Sequence, residues 1–390
     1  MRSALVYHPH MAAYRFGPGH PLLPERFTLA IELMRAWDLL GGGADQAMEV
    51  APDSATREDL LRVHSEEYVS LVEDERSSAR ADATHGLGDG DTPRFPAAHE
   101  IASLIAGGTC RALDGVLAGE WTTAFAPAGG LHHAHRDRAA GFCVYNDCAI
   151  AVAKATAETP GLRVAYVDID AHHGDGVEAA FYDRADVLTL SVHESGRYLF
   201  PGTGASRDVG EGEGRGFAIN LPMPPHAGDA EYALALENVI APAVRAYRPD
   251  VIVAQLGADG LASDPLAHLR LTVAGHARLA AGLVELAGEL CDGRLAATGG
   301  GGYDAFSGTP RAWACAMALL LGTGIPDTLP QRWVELAAAS AAAHGFPATR
   351  ETRTFVETPT LEPDVPAEET HRLAEIAIEQ TRAACALLSG

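Results

Sequence analysis

RVAYVDIDAHHGDGVE, residues 163–178, joins an apolar run directly to five side chains able to carry a proton or hold a metal: Asp168, Asp170, His172, His173 and Asp175. In an extended chain alternate side chains share a face, so Asp168, Asp170 and His172 project together. The run RVAYVDI (163–169) lacks polar alternation, which suits a strand buried on both faces. Open α/β sheets build their sites at the carboxyl ends of such strands. A merely solvated acidic loop would not wedge two histidines among three aspartates straight after one.

Outward from this stretch, similar short runs recur: ALVYH (4–8), WTTAFAP (121–127), DVLTLSV (186–192), PDVIVAQL (249–256) and RLAAT (294–298). Between them lie segments with apolar spacing near 3.6, at 98–119, 146–158, 229–247, 273–291 and 311–321. Strands alternating with helices of crossover length predict an α/β fold with a mainly parallel sheet. The segments 77–96 and 346–366, rich in Gly, Pro, Asp and Thr, read as irregular, with a closing helix near 369–388. No compositional break interrupts the strand–helix units and no repeat is visible, so residues 1–390 are read as one catalytic domain.

Other predicted strands deliver polar groups at the same edge. WTTAFAP leads to His132 and His133, PDVIVAQL to Asp259, and RLAAT to GGGG (299–302) and Tyr303. Asp170, His172 and Asp259 supply oxygen, nitrogen and oxygen donors and leave a coordination position for water, as in a catalytic zinc site; iron(II) suits the same set. The two histidines and the two remaining aspartates, Asp168 and Asp175, suggest two His–Asp dyads, in which a buried carboxylate orients each imidazole. His10, His135 and His268 are read as structural. Neither GGGG nor GLGDGDTP (86–93) ends as a phosphate-cradling loop does, so these glycines are read as letting backbone approach the site.

Composition narrows the function. With 47% hydrophobic and 21% charged residues the chain is an ordinary globular one. No apolar run is long enough to span a membrane and MRSALVYHPH lacks a signal-peptide pattern, so a cytoplasmic location is expected. The six cysteines are scattered without a Cys-x-x-Cys pair and read as reduced, buried thiols. A net charge of −23 repels a phosphate backbone, which argues against nucleic acid and tolerates a cationic substrate.

GHPLLPER (19–26), HSEEYV (64–69), GGLHHA (129–134), GFCVYND (141–147), DIDAHHGDGV (168–177), HESGRYLFPGTG (193–204), QLGAD (255–259) and GGGGY (299–303) together resemble the histone deacetylase superfamily, in family order from about residue 7 to 320. DPLAHLRLT (264–272) and PRAWA (310–314) further resemble its bacterial acetoin-utilisation branch. The resemblance implies an arginase-like three-layer fold and zinc-dependent removal of acetyl groups from the ε-amino group of lysine, in proteins or peptides, or from related amines. By matching positions it makes Asp170, His172 and Asp259 the metal ligands and pairs His132 with Asp168 and His133 with Asp175. His133 becomes the general base and then acid, His132 an electrostatic support, and Tyr303 the donor to the oxyanion. Asp91, Gly141, Phe142, Phe200 and Leu271 match substrate-binding positions, with Phe142 and Phe200 as aromatic walls and Leu271 at the rim. A monovalent cation, K+, is implied near Asp168, Asp170, His172 and Ser191, bound largely through backbone oxygens.

Three alternatives frame the reading. An acetylpolyamine amidohydrolase would use the same centre on a different amine. A dimanganese arginase-type site would need a further aspartate after Asp259, where Gly260 and Leu261 stand. A non-catalytic acyl-lysine binder would have lost a ligand or the tyrosine, and neither is lost.

Overall fold

The computed structural model describes residues 2–74, 84–346 and 367–388. Its eight described strands are β1 (Ser3–Val6), β2 (Met48–Val50), β3 (Thr123–Ala126), β4 (Val164–Asp168), β5 (Val187–Glu194), β6 (Ala218–Met223), β7 (Val251–Gln255) and β8 (Leu295–Thr298). They form one sheet in the order β2-β1-β3-β8-β7-β4-β5-β6, and every pairing is parallel. Strands β1, β3, β4, β5, β7 and β8 are buried at every position, so both faces of the sheet are covered and the architecture has three layers.

The predicted strands are all present, and the sequence reading omits only β2 and β6. These two close the sheet at either edge. β2 is three residues long and largely exposed. β6 contains Pro222, which an edge strand tolerates because one of its sides needs no ladder donors.

Among the helices, Ala98–Leu117 lies against β1, β3 and β8, and Val273–Leu290 reaches β7. The segment predicted as one helix over 229–247 is helical throughout, but a π-helical turn at Leu236–Ile240 divides it. Glu25–Ala36 and Gln331–Ala343 are helices that the apolar spacing did not reveal. The expected closing helix is Ala367–Ala384, followed by a 3-10 turn. Most of the predicted irregular segment 346–366, and residues 77–83 of the other, lie outside the described residues.

Register decides where the site is. Ala126, Thr298, Gln255, Asp168 and Ser191 stand opposite one another across β3, β8, β7, β4 and β5. Whatever follows this row emerges along one edge: His132 and His133 after β3, Tyr303 after β8, Asp259 after β7, Asp170 and His172 after β4. No helix among the described residues is long and apolar enough to cross a membrane.

Candidate metal centre and active site

Asp170, His172 and Asp259 are buried, and one donor atom from each lies within 4.8 Å of the others. His172 Nδ1 is 2.8 Å from Asp259 Oδ2 and 3.1 Å from Asp170 Oδ1. The surrounding chain holds the carboxylates from behind. Gln255 Nε2 and the Gly301 N–H donate to Asp170 Oδ2 at 2.8 and 2.6 Å, and the Ala171 N–H donates to Asp259 Oδ1 at 2.7 Å. Each carboxylate therefore keeps one oxygen facing inward with the imidazole nitrogen.

The charge pattern also fits a bound cation. Two carboxylates buried side by side are costly unless positive charge sits between them. Burial and the adjacent Asp170 push the Asp259 carboxyl up to about 6. Burial disfavours a charged His172, yet Asp259 and Asp170 outweigh it and hold its pKa well above the ordinary value. The backbone is cleared for the cluster as well: a Cβ on Gly301 would lie 1.9 Å from Asp259 Oδ2, and one on Gly257 2.2 Å from Asp170 Oδ2.

Both expected dyads form. His132 Nδ1 is 2.8 Å from Asp168 Oδ2, and His133 Nδ1 is 2.7 Å from Asp175 Oδ1. A carboxylate only accepts, so each Nδ1 carries a proton. The two Nε2 atoms lie 3.0 Å apart, a contact that requires a proton on one of them. Electrostatics assigns it. Burial would lower His132, but Asp168 and Asp170 override burial and raise its pKa to about 9. Burial and the charge on His132 lower His133 to about 4 against the pull of Asp175. His132 is thus cationic and His133 a neutral imidazole whose Nε2 has a lone pair.

Tyr303 completes the floor. Asp264, itself buried, accepts the Tyr303 backbone N–H at 2.7 Å. Burial, then Asp259 and Asp170, push the Tyr303 phenol well above its ordinary pKa, so it remains a donor at neutral pH. Beneath it the buried Arg26 donates to Gly300 O at 2.5 Å and lies over the Trp313 ring.

Above the metal cluster Phe200 meets His133 edge-on at 5.0 Å between ring centroids, and Phe142 meets Tyr303 at 5.7 Å. His172 is 6.4 Å from both Phe200 and Tyr303, so these two rings flank it, with Phe142 standing against Tyr303. Gly141 fills the tightest point, because a Cβ there would lie 2.3 Å from the His133 ring and 2.9 Å from Phe200. Phe142 has φ 67°, a strained value for a non-glycine residue, and is held by Thr92 Oγ1 on its N–H and the Tyr14 hydroxyl on its carbonyl. Asp91 is at the same mouth, its Oδ2 accepting the Gly141 N–H at 3.2 Å.

Leu271 departs from expectation. It is 1% exposed and turns inward against Gly260, so it does not stand at a rim. Its own N–H bonds to Gly260 O, and Ala262 N–H bonds to Leu271 O, which ties it to the loop interior. Leu266 is partly exposed, and its N–H donates to Asp264, the residue that also holds Tyr303. For the expected cation position, Asp168 and Ser191 are register partners on β4 and β5, with Asp170 and His172 following on the same chain.

Several residues that build the site escaped the sequence reading. Asp147 accepts from the Gly130 and Leu131 N–H groups and from Thr109, fixing the turn before the histidines. Asn146 Nδ2 donates to His132 O and Ala134 O at 3.0 Å each, clamping the backbone on both sides of His133. Both belong to the quoted GFCVYND, whose polar pair was the available signal. His64 and Asp264 open the quoted HSEEYV and DPLAHLRLT, where nothing separates them from solvated polar neighbours.

Comparison with known proteins follows the same lines. Residues 20–320 match the histone deacetylase domain. The acetoin utilization protein AcuC of Bacillus subtilis is 38% identical over 335 residues, covering 85% of each chain, and that of Staphylococcus aureus is 33% identical over 337 residues, again 85% of each. Among solved structures, an HDAC homolog from Aquifex aeolicus superposes with a TM-score of 0.84 at 30% identity, covering 98% of this chain and 100% of the other. An HDAC homolog complexed with SAHA gives 0.81 at 29% identity, with 97% and 100% covered. The chain therefore belongs to the histone deacetylase family of hydrolases and resembles its acetoin-utilisation branch.

Proposed function

We propose that this chain is a zinc-dependent deacetylase that hydrolyses the amide of acetyl-lysine in proteins or peptides and releases acetate, with residues 1–390 acting as one catalytic domain. The observation that carries this reading is the meeting, at one sheet edge, of the Asp170–His172–Asp259 donor set with two His–Asp dyads that differ in charge. Asp170, His172 and Asp259 would hold the metal. When bound, zinc, or iron(II) in its place, supplies a Lewis acid for the acyl carbonyl and lowers the pKa of a water from about 15.7 towards about 7.

The protein's own groups divide the remaining work. His133 donates its Nδ1 proton to Asp175, so its Nε2, on exchanging the His132 contact for the attacking water, takes a proton from that water and later gives it to the leaving amine. His132, cationic between Asp168 and Asp170, stabilises the negative charge that develops beside it. The Tyr303 hydroxyl donates to the forming oxyanion. Phe142, Phe200 and Gly141 make a narrow apolar passage that strips water from the methylenes of a lysine stem. Asp91 accepts from the substrate backbone. A K+ held by backbone oxygens around Asp168, Asp170, His172 and Ser191 would brace the ligand loop.

The test is turnover of an acetyl-lysine peptide and of an acetylated polyamine by protein loaded with zinc or with iron(II), against chelated protein. The expected result is one metal ion per chain, metal-dependent turnover and preference for the peptide. A preference for the polyamine overturns the substrate assignment. Binding of the acetyl-lysine peptide without turnover at full metal occupancy would make the chain a binder and not an enzyme.

A further inference from the structure

Asp175 has a second histidine. His133 Nδ1 bonds to its Oδ1 at 2.7 Å, and His135 Nε2 bonds to its Oδ2 at 3.0 Å. The sequence reading treats His135 as structural, and the active-site chemistry above does not use it. Its place is nevertheless built. The His135 N–H donates to Arg138 O at 2.9 Å, and its carbonyl lies 2.9 Å from His64 Nδ1. Burial lowers His64 to about 4, so His64 is neutral; its Nε2 accepts the Asn146 N–H, and its Nδ1 therefore carries the proton that His135 O accepts. The His135 side chain is mostly covered, at 20% exposed, and its open side faces a groove of about 800 Å³ that also reaches Asp91 and Phe200.

We propose that His135 is a positioning residue for amide hydrolysis, the outer member of a His133–Asp175–His135 chain that aims the base. The inference deepens the function proposed above and rests on it. The physical reason is rotational. A carboxylate held by one donor turns about its Cβ–Cγ bond, a broad torsion with little intrinsic preference. Donors on both oxygens fix that torsion and with it the direction of the His133 ring. Asp175 is 11% exposed, so without His135 its Oδ2 would be taken by mobile water. The carboxyl's proton affinity follows the same geometry: burial would raise it, but His133 and His135 together hold it well below the usual carboxylate range.

The experiment compares His135→Ala and His135→Gln in the metal-loaded full chain, measuring kcat, KM, metal content and the low-field resonance of the His133 Nδ1 proton. Gln is the informative partner because its amide nitrogen reaches about as far as Nε2 and donates without carrying charge. Loss of an outer partner of this kind typically costs about 10- to 100-fold, and the lower end is expected for kcat in His135→Ala, with KM and metal content unchanged. The proton resonance should broaden in the alanine variant. His135→Gln should restore both kcat and the resonance. A His135→Ala kcat within twofold of wild type overturns the proposal, as does a glutamine variant as impaired as alanine. If wild type itself shows no turnover at full metal occupancy, the hydrolase reading fails instead, and the proton resonance still decides whether His135 orders the dyad.

Discussion

His132 and His133 are adjacent in sequence, each buried, and each bonded through Nδ1 to an aspartate, yet they end with opposite protonation. The difference lies in what else surrounds them. His132 faces Asp168 and, at 3.9 Å, the carboxylate of Asp170, and two negative charges exceed the cost of burying an imidazolium. His133 has Asp175 alone, shares that carboxylate with His135, and feels the positive charge of His132. A dyad is therefore not a unit with a fixed role. The carboxylates within reach, set against burial and any neighbouring charge, decide whether its histidine is a charge or a base.

The comparison breaks at its root if the metal cluster is changed. Asp259→Asn removes one of the charges that make the cluster a cation site. Metal should be lost from the purified protein and turnover should fall by more than about 10³-fold, combining the loss of activated water and of carbonyl polarisation. Metal analysis checks this directly: an asparagine variant that keeps stoichiometric zinc and activity would remove Asp259 from the ligand set. Next in size is His133→Ala, where loss of general acid–base catalysis should lower kcat by about 10² to 10⁴ with metal retained. His132→Ala should cost less, about 10- to 100-fold, because it removes a supporting charge and not the proton carrier. Reversal of that order, measured side by side at saturating substrate, would exchange the two roles. Tyr303→Phe falls between them at about 10² to 10³, the usual worth of one oxyanion donor, again with the metal in place.

Much of this was legible because buried parallel strands announce themselves. VAYVD and VIVAQ are apolar on both faces, and the polar residues that follow each one must emerge at the same edge. That reasoning collects Asp170, His172, Asp259, His132, His133 and Tyr303 without any contact being known. It does not find β2, which is short and largely exposed, or β6, whose apolar run Asn220 and Pro222 interrupt. It also does not find Asn146, Asp147, Gln255 or Asp264. Their value depends on which backbone N–H or carbonyl faces them, and that is fixed only when loops distant in sequence close on one another. Leu271 shows the opposite failure: its sequence neighbourhood suits a rim residue, but the bonds between Gly260, Ala262 and Leu271 turn it inward. His135 was passed over because a histidine three residues beyond His132 carries no periodic signal. Only the start of helix Asp175–Phe181 brings its partner within reach.

The smallest effect concerns histidines with no carboxylate at all, and it tests the same counting rule. His64 and His276 are buried; the His64 ring nitrogens bond to backbone groups, and His276 Nε2 bonds to Gly257 O. Burial lowers both to about 4 from an ordinary 6.5. In the unfolded chain they take up protons below about pH 6.5, whereas the folded chain resists until near pH 4, so between those values the unfolded state binds more protons. Stability contributed by these sites is therefore present above pH 6.5 and lost as pH falls toward 4, on the order of 3 kcal/mol for each at full extent. Urea unfolding of wild type should show a clear loss of stability between pH 7 and pH 5, and His276→Gln, which cannot be protonated, should show a smaller one. His276 is the better choice for the test because its Nε2 meets a backbone carbonyl, Gly257 O, which an uncharged amide of similar reach also meets. An equal loss in both proteins would mean that burial without a neighbouring carboxylate does not keep a histidine neutral here, and the explanation offered for His133 would go with it.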